Sequence, residues 1–283
     1  MPNGEYWLQR QTIRRLHTAR DLLRRNDYPQ PRGLLAFGGI AYGETIAEPS
    51  KIKQSQSALH ETSLAQRGFE EGFAFLPASL EEVDHFARDF WSRKHIGPLL
   101  VRKGPQATEH ALKQIAQPPR ILHLATHGFY LRGQQQTQRP LVSSGLALAQ
   151  ANQGLQGKRD QNQEDGILYA LEAVDLNLEG TELVTLSACE TGQGDLDYSE
   201  GVYGLVLAFK LAGARNVLMT LRKVHDAWAM RFMKQFYIQW LSGPPQHPAL
   251  ALRQTKLYFI NQDDAAQRDP AFWSPYVLVE TTH

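Results

Sequence analysis

The chain has 283 residues and a mass of 32.0 kDa, enough to bury a full core, so one large domain with a short N-terminal appendage is expected. Thirty Lys+Arg against 29 Asp+Glu leave a net charge of +1, which argues against nucleic acid or an acidic surface as a direct partner. A single cysteine excludes a disulfide framework and a multi-thiolate metal site, and no apolar run approaches the roughly 20 residues that cross a bilayer, so a chain of the reducing cytoplasm without membrane contact is expected.

In chain order, Trp7, Leu8, Ile13, Leu16, Ala19, Leu22 and Leu23 recur near spacings of three and four and predict a helix from about Tyr6 to Arg25. The arginines that share it (Arg10, Arg14, Arg15, Arg20, Arg24 and Arg25) are read as solvated. The segment "NDYPQPRG" breaks the pattern and divides an N-terminal unit, 1–31, from the main domain, 32–283. "LLAFGG" reads as a buried strand, and the polar stretch after it as a long loop. In "SLEEVDHFARDFWSRK", Ser79 three residues before Glu82 predicts a capping box and a helix. "LLVRKG" is a strand, "ATEHALKQIA" a helix, and "RILHLATHGF" a strand ending near Thr126. "GLALAQANQG" has strand or helix character, "LQGKRDQNQEDG" is an exposed excursion, and "ILYALEAVDLNL" holds a short helix. "TELVTLSA" is a strand and "EGVYGLVLAFKLAGA" a helix. "RNVLMTL" is a further strand, and two helices and the last strand, "SPYVLVE", follow. Strands alternating with helices indicate an α/β sandwich with a mostly parallel sheet.

Open α/β sheets carry their chemistry at the carboxyl ends of strands. Two strands here end in reactive groups: "ATHGF" delivers His127 beside Gly128, and "SACETG" delivers the lone Cys189. A thiol with an ordinary pKa near ~8.5 is only partly ionised at neutral pH, and an imidazole beside it raises the thiolate fraction. Gly128 and Cys189 can each offer a backbone N–H to a developing oxyanion. Other readings stand beside this one. A lone cysteine is commonly core, and a lone histidine commonly a hydrogen-bonded bystander. Two glycines just after Cys189 mark a tight turn that a core thiol does not require. His123, four residues before His127, falls on the same face of an unbroken strand. A metal pair there is disfavoured because "HLATH" lacks a zincin glutamate, so packing or support of the dyad is assigned to His123, and no metal or other cofactor is expected.

With both motifs read, the chain resembles the CHAT domain family, bacterial caspase-like domains related to caspases and separases and commonly fused to tetratricopeptide repeats. The resemblance covers roughly Gly33 to Glu280 through ordered blocks that include "LLAFGGIAYGE", "FLPASLEEV", "ILHLATHGF", "SSGLALAQAN", "LVTLSACETGQG" and "FWSPYVLVE". It implies a caspase-like three-layer sandwich, a catalytic dyad on His127 and Cys189, and limited, regulated cleavage of a partner protein by a cysteine endopeptidase. Upstream repeats or a regulatory protein are the implied partners. It also implies that Asp226 shapes the pocket for the residue before the cut and that Asp195 lies in a groove-forming loop. Where the family usually carries tryptophan, this chain has Arg222, which can pair with Asp226 and change the residue preferred there. Asp226 as a helix N-cap and Asp195 in a solvated turn are equally open. Glu190, adjacent to the thiol, is read as holding a loop, since a carboxylate there would raise the thiol pKa. The alternatives to a peptidase are a non-catalytic interaction module with the same fold and another Cys–His acyl hydrolase.

Overall fold

A computed structural model describes residues 5–16, 29–43, 72–89, 97–130, 140–187, 189–190, 198–222, 224–242, 244 and 246–280. The elements run, in order, α1 (Trp7–Arg10), β1 (Arg15–Leu16), β2 (Leu34–Ile40), α2 (Pro77–Asp89), β3 (Leu99–Gly104), α3 (Glu109–Lys113), β4 (Ile121–Leu124) and β5 (His127–Tyr130). Next come α4 (Pro140–Ser143), β6 (Ser144–Ala147), α5 (Ala151–Gly154), β7 (Ile167–Tyr169), α6 (Ala170–Ala173), β8 (Leu183–Leu186) and β9 (Cys189–Glu190). The chain continues with α7 (Tyr198–Leu211), β10 (Asn216–Thr220), α8 (Asp226–Leu241), α9 (Pro248–Ile260), α10 (Ala265–Arg268), α11 (Pro270–Trp273) and β11 (Tyr276–Glu280).

Seven strands form a central sheet in the order β1-β11-β10-β8-β4-β2-β3, parallel throughout except where β11 runs against β10. Strands buried on both faces need no polar alternation, which is why "ILHL" and "LVTL" read as continuous apolar runs. Alternate residues of these strands feed two cores. Leu122, Leu124, Val184 and Leu186 pack with Ala170 and Phe209, and Ile121 and Leu183 with Phe86 and Trp240. Helices α6 and α7 therefore cover one face and α2, α8, α9 and α11 the other, giving the expected α/β sandwich with its mostly parallel centre.

A second, four-stranded sheet in the order β7-β6-β5-β9 continues two of the central strands. Residues 125–126 separate β4 from β5, and 187–188 separate β8 from β9. Across both gaps the pairing offset is kept. Leu124 pairs with Leu186, and three residues later His127 pairs with Cys189, each 62 positions apart.

Two expectations change. The N-terminal helix spans only Trp7–Arg10, and residues 15–16 instead add a parallel edge strand beside β11, tied by the ion pair of Arg14 with Glu280. A helical period loses here because the exposed edge of β11 offers unpaired backbone groups; the remainder of the expected helix, 17–25, lies outside the described residues. The Ser79–Glu82 capping box is also absent. The Ser79 hydroxyl donates to the Leu76 carbonyl at 2.7 Å and accepts the Gly39 N–H at 3.0 Å, while Glu82 turns into the core.

Candidate active site

His127 opens β5 and is 3% exposed. Its Nε2 lies 2.6 Å from the Ala74 carbonyl, and since a carbonyl only accepts, the bond assigns the proton to Nε2 and leaves Nδ1 as the basic nitrogen. The ring lies beside Tyr42, at 5.0 Å between centroids, and Phe73, at 5.6 Å. Burial drives the Tyr42 hydroxyl strongly upward in pKa, so it stays neutral; it hydrogen-bonds Thr126 Oγ1 at 3.0 Å and the backbone of His127. The Ala74 carbonyl is the orienting group that the sequence did not reveal. A main-chain acceptor 53 residues upstream leaves no side-chain signature.

Cys189 opens β9 and is the register partner of His127, with Gly128 beside Glu190. Gly128 also pairs with Leu146 of β6, so it sits inside the small sheet between two strands. The side chains of Cys189 and Glu190, together with all of Asp195, lie outside the described residues.

His123 and His127 do not share a setting, contrary to the same-face reading, because the strand breaks between them. His123 is fully buried among Phe86, Tyr237 and Glu82, with Nδ1 3.1 Å from the Tyr237 hydroxyl and Nε2 2.9 Å from Glu82 Oε1. Thr185 Oγ1 meets the same Tyr237 hydroxyl at 2.9 Å, and the Ser187 hydroxyl donates to Glu82 Oε2 at 3.1 Å. This polar chain crosses the core between α2, β4, β8 and α8 and ends two residues before Cys189.

Asp226 is the first residue of α8, behind N-cap His225, and is not itself the cap. Its Oδ2 accepts the Ala78 N–H at 2.7 Å, serving the first turn of α2 from outside, and burial raises its pKa. Arg222 is exposed and donates to the Ala271 carbonyl at 2.8 Å, so the two residues direct their hydrogen bonds to different segments.

Three carboxylates, of Glu109, Glu164 and Glu172, converge closely enough to suggest a cation site. The cation already there is the Lys113 ammonium, at 2.6, 2.9 and 2.8 Å from them respectively, and burial together with these contacts is a structural arrangement pinning α3 to α6. Among the described residues no helix is long and apolar enough to cross a membrane.

Among solved structures, the chain is similar to the Arg-specific cysteine proteinase gingipain R, with a TM-score of 0.48 and 9% identity over 91% of this chain and 49% of that one. It is similar to a complex of the pro- and mature domains of RgpB from Porphyromonas gingivalis (0.43, 8% identity, 95% and 50%). It is also similar to a chain of the Saccharomyces cerevisiae separase–securin complex (0.43, 11% identity, 89% and 12%). The chain thus spans about half, or far less, of the length of those chains. No curated protein matches it. The CHAT domain profile matches residues 1–281, and the chain belongs to the CHAT domain family.

Proposed function

We propose that the protein is a cysteine endopeptidase that makes limited cuts in a partner protein through His127 and Cys189. The single observation that carries this reading is the pairing of these two residues in β5 and β9, a register inherited from β4 and β8. Neighbouring strands lie about 4.7–4.9 Å apart, a separation that a thiol and an imidazole on paired residues can span.

In the proposed reaction the Cys189 thiol gives its proton to Nδ1 of His127, and the sulfur attacks the scissile carbonyl carbon. The resulting oxyanion takes N–H groups from Gly128 and Cys189. As the C–N bond breaks, His127 returns the proton to the leaving amine, and a water then hydrolyses the thioester and restores the thiol. The Ala74 carbonyl supports the imidazolium stage by accepting Nε2–H. Asp226, Arg222 and Asp195 belong to the substrate side of the proposal. Because Asp226 Oδ2 already serves Ala78, a basic side chain before the cut would compete with a helix N-terminus for this carboxylate. In this reading the N-terminal unit, 1–31, is where upstream repeats or a regulatory protein would act, in a reducing compartment that keeps the lone thiol reduced.

The test is incubation of a proteome-derived protein mixture with the wild type, Cys189→Ala and His127→Ala, with new N-termini mapped by mass spectrometry. Wild type generates a restricted set of cuts, and either substitution lowers their rate by at least about a thousandfold. Equal cleavage by Cys189→Ala removes the assigned nucleophile. Cleavage by none of the three favours an interaction module built on the same fold.

A further inference from the structure

Asn152 is fully buried in α5 and has been given no part in the chemistry above. Its carboxamide meets Phe73 as a neighbouring strand would: Oδ1 accepts the Phe73 N–H at 2.6 Å, and Nδ2 donates to the Phe73 carbonyl at 3.0 Å. Nδ2 also reaches the Gly43 carbonyl at 3.4 Å, and the main-chain N–H of Asn152 donates to the Tyr42 carbonyl at 2.9 Å. One residue therefore ties together segments 41–43 and 72–74. These segments supply the Tyr42 ring, the Phe73 ring and the Ala74 carbonyl that surround His127.

The fit is specific to an amide. A leucine fills a similar volume but leaves both main-chain groups of Phe73 without these partners, and an ionised aspartate keeps the acceptor while losing both donors. The approach is close as well. A Cβ on Gly72, whose φ is +72°, would stand 2.6 Å from Asn152 Oδ1, so glycine is required twice over, by conformation and by space.

We propose that Asn152 is the positioning residue for His127: by clamping the Phe73 peptide it sets the Ala74 carbonyl against Nε2 and fixes the ring as the Nε2–H tautomer, with Nδ1 as the base. The catalytic meaning of this rests on the peptidase reading; the tautomer and the ring orientation do not. Without the clamp, the 72–74 segment shifts, Nε2–H loses its acceptor, and Nδ1 becomes both less basic and less well aimed. A misplacement of about 1 Å in a reacting group can cost on the order of a hundredfold in rate.

The test is imidazole NMR of the whole chain, labelled with nitrogen-15 in histidine, with His127→Ala identifying the ring. Asn152→Ala, Asn152→Asp and Gly72→Ala disturb the clamp from two sides, so failure of one to fold leaves the others to decide. Asn216→Ala serves as control, because Asn216 donates at 2.8 Å to the Glu182 carbonyl in a different part of the sheet. Wild type and control are expected to show one Nε2–H tautomer. The clamp variants are expected to show mixed tautomers, titration at lower pH, and about a hundredfold loss of kcat at little change in KM. A wild-type tautomer and titration midpoint in every folded clamp variant overturns the proposal, whatever happens to cleavage. A lost tautomer with cleavage unchanged keeps the clamp and removes His127 from the chemistry.

Discussion

Glu82 shows how one side chain is claimed by a distant contact over a near one. Its spacing from Ser79 fits a capping box, yet its carboxylate lies 2.9 Å from His123 and takes the Ser187 hydroxyl inside the core, 2% exposed. A buried carboxylate is costly without partners, and here the partners are as buried as it is. Glu82→Ala is expected to destabilise the fold by about 1–3 kcal/mol in urea unfolding, because it takes a buried partner from the Ser187 hydroxyl and from the His123 ring. Glu82→Gln, which keeps the shape, is expected to cost clearly less; equal losses would show that the carboxylate itself, rather than the space it fills, holds this point. The residue scale was only partly legible. His127 and Cys189 stood out because rare side chains end apolar runs, whereas Asn152 sits in a polar stretch where nothing local distinguishes it from a surface asparagine.

Between elements, Asp226 links the starts of two helices. Helix α2 begins with Pro77, so the Ala78 N–H is among its first orphan donors, and a residue 148 positions away in α8 accepts it. Asp226→Ala is expected to lower stability by about 1 kcal/mol, the usual loss for a removed cap. Asp226→Asn retains an acceptor and should match wild type at acidic pH. Burial raises the Asp226 pKa in the folded state, so the stability this group supplies is present at low pH and falls as pH rises through that value. The asparagine variant should then exceed wild type at neutral pH, as read from thermal unfolding at both pH values; a deficit at neutral pH would show that the ionised carboxylate is favoured at the α2 N-terminus. Helix starts of this kind are invisible to sequence reading, since the capping group lies outside the window in which caps are sought.

For the molecule as a whole, the N-terminal segment closes one edge of the sheet and leaves a trace in its pH behaviour. Lys256 of α9 is pushed down to about 8 from 10.5, chiefly by burial and then by repulsion from Arg15 of β1. Between those values the unfolded chain holds a proton that the folded chain has lost, so this group makes stability rise with pH across that window. Lys256→Met is expected to raise stability at pH 7 by on the order of 1–3 kcal/mol and to remove that rise, as measured by urea midpoints at pH 7 and 10. An unchanged rise would place the titrating group elsewhere. Read alone, the chain establishes the alternation of strands and helices, the continuous apolar runs of a sheet covered on both faces, and two reactive side chains at strand ends, because these are local patterns of period and composition. The common register of His127 and Cys189, the Ala74 carbonyl on the imidazole, the Asn152 clamp and the edge strand at 15–16 were decided by tertiary structure. Each is a contact between segments more than 50 residues apart, made through main-chain groups or a single amide, and a chain records such pairings in no repeating pattern of its side chains.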